Sequence, residues 1–85
     1  MSRYTPEQLK ERRQQAAYIH SVIADNIRRE RVALGLTQRD AAALFGAGES
    51  YFRAIENGHK QLSLLRVVEI ADVLGVSAAK LLEGL

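Results

Sequence analysis

The sequence contains no cysteine, which excludes disulfide staples, a thiol nucleophile and any zinc site built on thiolates. That absence fits a reducing compartment. Histidine is almost as scarce: His20 and His59 are the only two and lie far apart, so no paired-imidazole site is spelled out. Long apolar runs are also missing. The longest strictly apolar stretch, Ala41 to Phe45, falls far short of the roughly 20 residues that span a bilayer. The N-terminal region carries Arg3, Glu7, Lys10, Glu11, Arg12 and Arg13 without the clean apolar stretch of a signal peptide, so the expected compartment is the cytoplasm, with no membrane partner. No glycine-rich phosphate loop or carboxylate dyad is evident. The chain is expected to be no enzyme and to need no metal or cofactor.

What is present suits one small globular domain. The 85 residues are 47% hydrophobic and 26% charged, which argues against both disorder and a multi-domain enzyme. A domain of this size buries only about 60–65% of the surface its unfolded chain exposes, so a partner subunit would add welcome stability. The formal charge of +2 hides an asymmetry. Residues 28 to 66 hold seven basic against four acidic side chains, a net +3, whereas residues 67 to 85 hold one against three, a net −2. A basic middle points to a polyanion partner.

Punctuation divides the chain into helices. Thr5-Pro6-Glu7-Gln8 is a start signal, with a threonine cap, proline at the first helical position and glutamine closing a capping box. Ile19, Val22, Ile23 and Ile27 then recur at helical spacing up to a stop at Gly35. Residues 7 to 15 are almost wholly polar, and either extend the same helix into solvent or form a separate one. Thr37, with Asp40 as box partner, caps a short helix with Ala41, Leu44 and Phe45 on its buried side. Gly46-Ala47-Gly48 breaks it. A third helix is expected from Glu49 to Asn57, burying Phe52 and Ile55, before Gly58. Ser63 caps a fourth that Gly75 closes, its inner side formed by Val67, Val68, Ile70, Ala71 and Leu74, and Ser77 caps a last one through Glu83. No stretch alternates with strand periodicity. The expectation is an all-α chain of five or six short helices, with residues 1–18 as a helical extension and 19–85 as the compact domain.

Two short helices around a tight glycine turn have the layout of a helix-turn-helix. The string Ile27-Arg28-x-x-Arg31-x-x-x-Gly35-Leu36-Thr37-Gln38, then Ala42, Gly46, Ile55-Glu56-Asn57-Gly58, Ser63-Leu64, Ile70-Ala71 and Leu74-Gly75-Val76 resembles the lambda-repressor-like (Cro/C1, XRE) DNA-binding family over residues 22 to 83. The resemblance implies a compact five- or six-helix lambda-repressor-like domain. It also implies a transcriptional regulator that binds double-stranded DNA as a homodimer, such as a phage-type repressor, a restriction-modification controller or an autoregulating antitoxin. RNA polymerase or a toxin would be a further partner.

In such a domain the second helix of the pair enters the major groove while the first crosses the backbone. Glu49, Ser50, Arg53, Ala54 and Asn57 share the helix face opposite Phe52 and Ile55. By the resemblance, Gln38 bonds a phosphate from the start of the preceding helix, beside Arg39, and Asn57 and Lys60 do likewise. Arg53 can pair with guanine in bidentate fashion, or else contact a phosphate or pair with Glu49 or Glu56. Glu49 can accept from cytosine N4, although its charge repels phosphates and suits its own helix N-terminus. Tyr51 reads as half-buried packing with its hydroxyl toward a phosphate. The resemblance further implies an ion pair between Arg31 and Glu56 that orients the reading helix.

Two departures from the family pattern stand out. Gly48 is a poorer cap than the Ser or Thr of many relatives, and Ala54 stands where many carry a long polar side chain, leaving thymine-methyl contact at that position. On the fourth helix Leu65 and Val73 fall within a charged strip, and with Leu82 and Leu85 they form a candidate isologous dimer seam; single exposed aliphatics are also ordinary. Lys10, Arg12 and Arg13, interleaved with acids, read as a solvated helix face. The sparse groove face motivates an alternative function, a protein-binding adaptor that keeps the fold without sequence-specific readout.

Overall fold

A computed structural model describes residues 3–85, and within them the chain folds into five α-helices without a strand. Helix α1 spans Pro6–Ala33 without a break. Its start is the capping box read from the sequence: the Gln8 amide donates to Thr5 Oγ1 at 3.2 Å and the Thr5 amide to Gln8 Oε1 at 2.9 Å. Residues 7 to 15 therefore continue the same helix. Nearly every side chain before Val22 is exposed, and burial sets in at Ile23, Ala24, Asn26 and Ile27, where the rest of the fold packs against the helix. Ile19, grouped with the buried stripe by its spacing, is 41% exposed because it precedes that packed segment.

Helices α2 (Gln38–Phe45) and α3 (Glu49–Glu56) form the central pair. Thr37 caps α2 reciprocally with Asp40, and the Thr37 amide and hydroxyl at that cap hold the Asp40 carboxyl below its usual value. The charged carboxylate thus supports the cap above the ordinary aspartate range, and that support fades as pH falls through the lowered folded-state value. Gly46 closes α2 with φ of 75°, a left-handed conformation in which a Cβ would be strained. Gly48, as expected of a residue without a side chain, offers α3 no capping bond. Helix α3 ends at Glu56, with Asn57 as its cap, one residue short of expectation.

Helices α4 (Leu64–Leu74) and α5 (Ala78–Leu81) complete the domain, capped by the Ser63 and Ser77 side chains. Helix α5 stops two residues before the expected Glu83. The core joins Ile23 and Ile27 of α1, Ala41 and Ala42 of α2, Phe52 and Ile55 of α3, Val67, Ile70, Ala71 and Leu74 of α4, and Leu81 of α5. Besides Ile19, the expected core positions Leu44 and Val68 lie outside it and are exposed. Leu44 is 60% exposed, because Ala41, Ala42 and the half-buried Phe45 already form the inner side of α2. Val68 is 45% exposed, beside the narrower stripe at 67, 70, 71 and 74 that α4 buries.

Asn26 is a buried polar residue that the sequence reading overlooked. Its Nδ2 donates to the backbone carbonyls of Leu81 at 2.9 Å and Glu83 at 2.8 Å, tying α1 to the segment around α5. Asn26→Leu keeps the volume but leaves both carbonyls without that donor. It should destabilise the fold by about 1–3 kcal/mol. A urea-unfolding midpoint within error of the parent protein would show the clamp to be dispensable.

Candidate nucleic-acid interface

Helix α3 divides its side chains sharply. Phe52, Ile55 and Glu56 are buried, whereas Glu49, Ser50, Arg53 and Asn57 are exposed and Ala54 is half-buried. The predicted groove-facing residues therefore lie together on the outer face of this short helix. Arg53 Nη2 lies 3.4 Å from Glu49 Oε2, one turn away, with both side chains open to solvent. Exposed Arg39 sits in the first turn of α2. Beyond the other end of α3, Lys60 reaches over the half-buried Tyr51 ring at 5.7 Å. Arg66 lies 5.9 Å from that ring and 5.2 Å from the ring of Phe45. The aromatic pair thus brings cations from two segments beside α3.

One carboxylate fixes this helix in place. The Glu56 side chain has no solvent exposure and accepts from Arg31 twice, Nε to Oε2 at 2.6 Å and Nη2 to Oε1 at 2.9 Å. Such a two-bond fork defines orientation as well as charge. Arg31, only 12% exposed, spends its remaining nitrogen Nη1 on the Leu36 carbonyl at 2.8 Å, in the link between α1 and α2. Gln38 Nε2 donates to Glu56 Oε1 at 3.1 Å, so the residue expected at a phosphate also touches this network. Its amide has a second hydrogen for another acceptor. Helices α1, α2 and α3 therefore converge on a single carboxylate.

Arg28 was assigned no role from sequence, yet its Nη2 donates to the Glu56 carbonyl at 2.8 Å while Nη1 lies 3.6 Å from Asp25. It serves the C-terminal end of α3, where carbonyls lack helical partners. Its place one helical turn before Arg31, on the same side of α1, is the signal that would have pointed to it. Ala17, Ser21, Ala24 and Asp25 line an open groove with Arg28, Glu56, Asn57 and Gly58. Among the described residues no cluster of three or more His, Cys, Asp or Glu is arranged to hold a metal. No helix among them is long and apolar enough to cross a membrane. The candidate seam residues differ in exposure: Leu65 is 69% and Leu85 57% exposed, whereas Val73 and Leu82 are half-buried.

A short pair of helices joined through Gly46 and Gly48, with the second locked from behind and polar in front, defines a helix-turn-helix protein. The chain belongs to the helix-turn-helix family HTH_3, whose model matches residues 27–81; this is the Cro/C1-type XRE family of DNA-binding transcriptional regulators, not of enzymes. It is similar to a propionyl-CoA carboxylase regulator of Cereibacter sphaeroides, with 40% identity over 65% of this chain. That match spans only 12% of the regulator's length. Among solved structures it resembles a hypothetical transcription factor from Neisseria, with 33% identity and a TM-score of 0.71 over 75% of this chain and 74% of that one. The restriction-modification controller protein C.AhdI from Aeromonas hydrophila is similar at 28% identity and a TM-score of 0.70, over 76% and 94% of the respective chains.

Proposed function

We propose that this chain is a sequence-specific transcriptional regulator that binds an inverted-repeat operator in double-stranded DNA as a homodimer, with α3 in the major groove. The observation that carries the reading is the outer face of α3, a row of exposed polar side chains on a helix held by Phe52, Ile55 and the Glu56 network. Arg53 pairs with guanine, Ser50 bonds a base edge and Ala54 meets a thymine methyl. Gln38, Arg39, Asn57 and Lys60 contact phosphates, with the Tyr51 hydroxyl beside them. Half-sites lie about one helical turn apart, and Leu65, Val73, Leu82 and Leu85 join the two copies. Likeness to a restriction-modification controller over most of that protein's length favours a compact regulator of that kind. A phage-type repressor or an autoregulating antitoxin has the same form, and RNA polymerase or a toxin is the further partner in the cytoplasm.

Selection of bound duplexes from a random pool tests the reading, using the parent protein and Arg53→Ala at near-physiological salt. The parent should enrich an inverted repeat, and the variant should lose about 1–3 kcal/mol of discrimination at one base pair per half-site. Affinity should fall with salt at a log–log slope of about −0.9 per neutralised phosphate. If no sequence is enriched, the reading fails. The exposed Leu64, Leu65 and Val68 of α4 then favour the second reading, a protein-binding adaptor.

A further inference from the structure

The outer face of α3 carries one acid and one base, and they are engaged with each other. Glu49 opens the helix after a cap residue that makes no side-chain bond, yet its carboxylate pairs with Arg53 at 3.4 Å. The side chains remain 43% and 53% exposed, so the pair is available to a ligand. With Ser50, Ala54 and Asn57 uncharged, the face is neutral, whereas Lys60 and Arg66 bring positive charge to the Tyr51 ring on the same helix. On a face meant for phosphate alone the carboxylate would repel the DNA backbone.

Resting on the proposed reading of α3 as the groove helix, we infer that Glu49 and Arg53 form an exchange pair that makes guanine recognition selective. In the free protein the guanidinium rests beside the carboxylate, one nitrogen 3.4 Å from it. On DNA, Arg53 releases Glu49 only where both partners are replaced together. Guanine O6 and N7 offer the guanidinium two acceptors in the geometry of a carboxylate, and the cytosine N4 amino group offers the freed carboxylate a donor. A G·C pair therefore completes the exchange. At an A·T pair in the same register the guanidinium meets the adenine N6 amino group in place of O6 and the carboxylate meets the thymine O4 acceptor in place of N4, so Arg53 stays withdrawn or Glu49 faces the polyanion unpaired. Glu49 thus acts as a specificity-determining residue whose main effect is to penalise wrong sequences.

The test compares dissociation constants of the parent and Glu49→Gln on two duplexes: the selected operator, and that operator with the Arg53-dependent G·C pair changed to A·T. Melting of both proteins by circular dichroism establishes that the exposed substitution leaves the fold intact. Glu49→Gln should tighten binding to the changed duplex roughly 3–10-fold more than to the matched one, shrinking discrimination at that pair while other positions keep theirs. Equal tightening on both duplexes would make Glu49 a general repulsive charge and overturn the inference. Weakening confined to the matched duplex would make Glu49 a simple acceptor and overturn it too. If the parent enriches no sequence, the operator reading fails and the exchange pair falls with it; an enriched operator with unaltered discrimination in Glu49→Gln removes the exchange pair alone.

Discussion

Glu56→Ala should be the most damaging single change at the polar centre, lowering stability by about 3–5 kcal/mol. The substitution removes the carboxylate that accepts from Arg31 and Gln38 and leaves a guanidinium, 12% exposed, without its counter-charge. A domain of this length has about 4–13 kcal/mol of stability in all, so much of it is at stake. For a domain of roughly this size each kcal/mol shifts the melting temperature by about 4–8 °C, so the midpoint should drop by at least about 12 °C. A thermal melt followed by circular dichroism reads this directly. Replacing both partners, as Arg31→Met with Glu56→Leu, removes the stranded charge and should recover part of the loss, the Leu36 carbonyl and the Gln38 amide still lacking the partners they had. A Glu56→Ala midpoint within a few degrees of the parent would mean that Arg31 finds water or another acceptor, and the network would then not fix α3.

Phe52→Ala should be of similar size for an unrelated reason. The ring is 1% exposed and sits on the inner side of α3, among Ile27, Ile55, Ile70 and Leu81 in the same core. Truncating such an aromatic costs about 3–5 kcal/mol, part lost transfer free energy and part cavity. Because α3 has only eight residues, it draws little stability from helix formation itself and depends on this packing. Chemical denaturation should therefore show the unfolding free energy lowered by about that amount. Ile27→Val, at an equally buried site, should lose only about 0.5–1.5 kcal/mol. Equal losses from the two substitutions would contradict a core in which volume sets the cost.

The helix starts and stops were legible because they are local chemistry. Thr5, Thr37, Ser63 and Ser77 each cap a helix through a side-chain oxygen, and Gly35, Gly46 and Gly75 adopt positive φ just past helix ends. The outer face of α3 was legible too, since Phe52 and Ile55 fix which side is buried. What escaped was set by distant parts of the chain. Asn26 has no sequence signal because its acceptors lie 55 and 57 residues away. Leu44 and Val68 look like core by hydrophobicity, but only the width of the α2 and α4 contacts decides that neighbouring residues fill the space. Continuity of α1 was undecidable because a polar stretch has no apolar face to follow, whereas a long helix can persist on backbone bonds and capping.

That continuity has a thermodynamic consequence. Helix α1 is one object geometrically, about 42 Å of unbroken backbone in a molecule whose longest dimension is 45 Å. Energetically it is two. The amides after Ile23 open only when the core opens, since Ile23, Ile27, Asn26 and Arg31 are each tied to other helices. Those near Gln8 to Gln15 are held by the capping box, by neighbouring turns and by local contacts such as the Arg12 guanidinium 4.3 Å from the Tyr4 ring, and can fray without disturbing a single core contact. Protection against hydrogen exchange should therefore rise along this one helix from close to that of an isolated peptide to that of the whole domain, so its stability is a gradient rather than a single value.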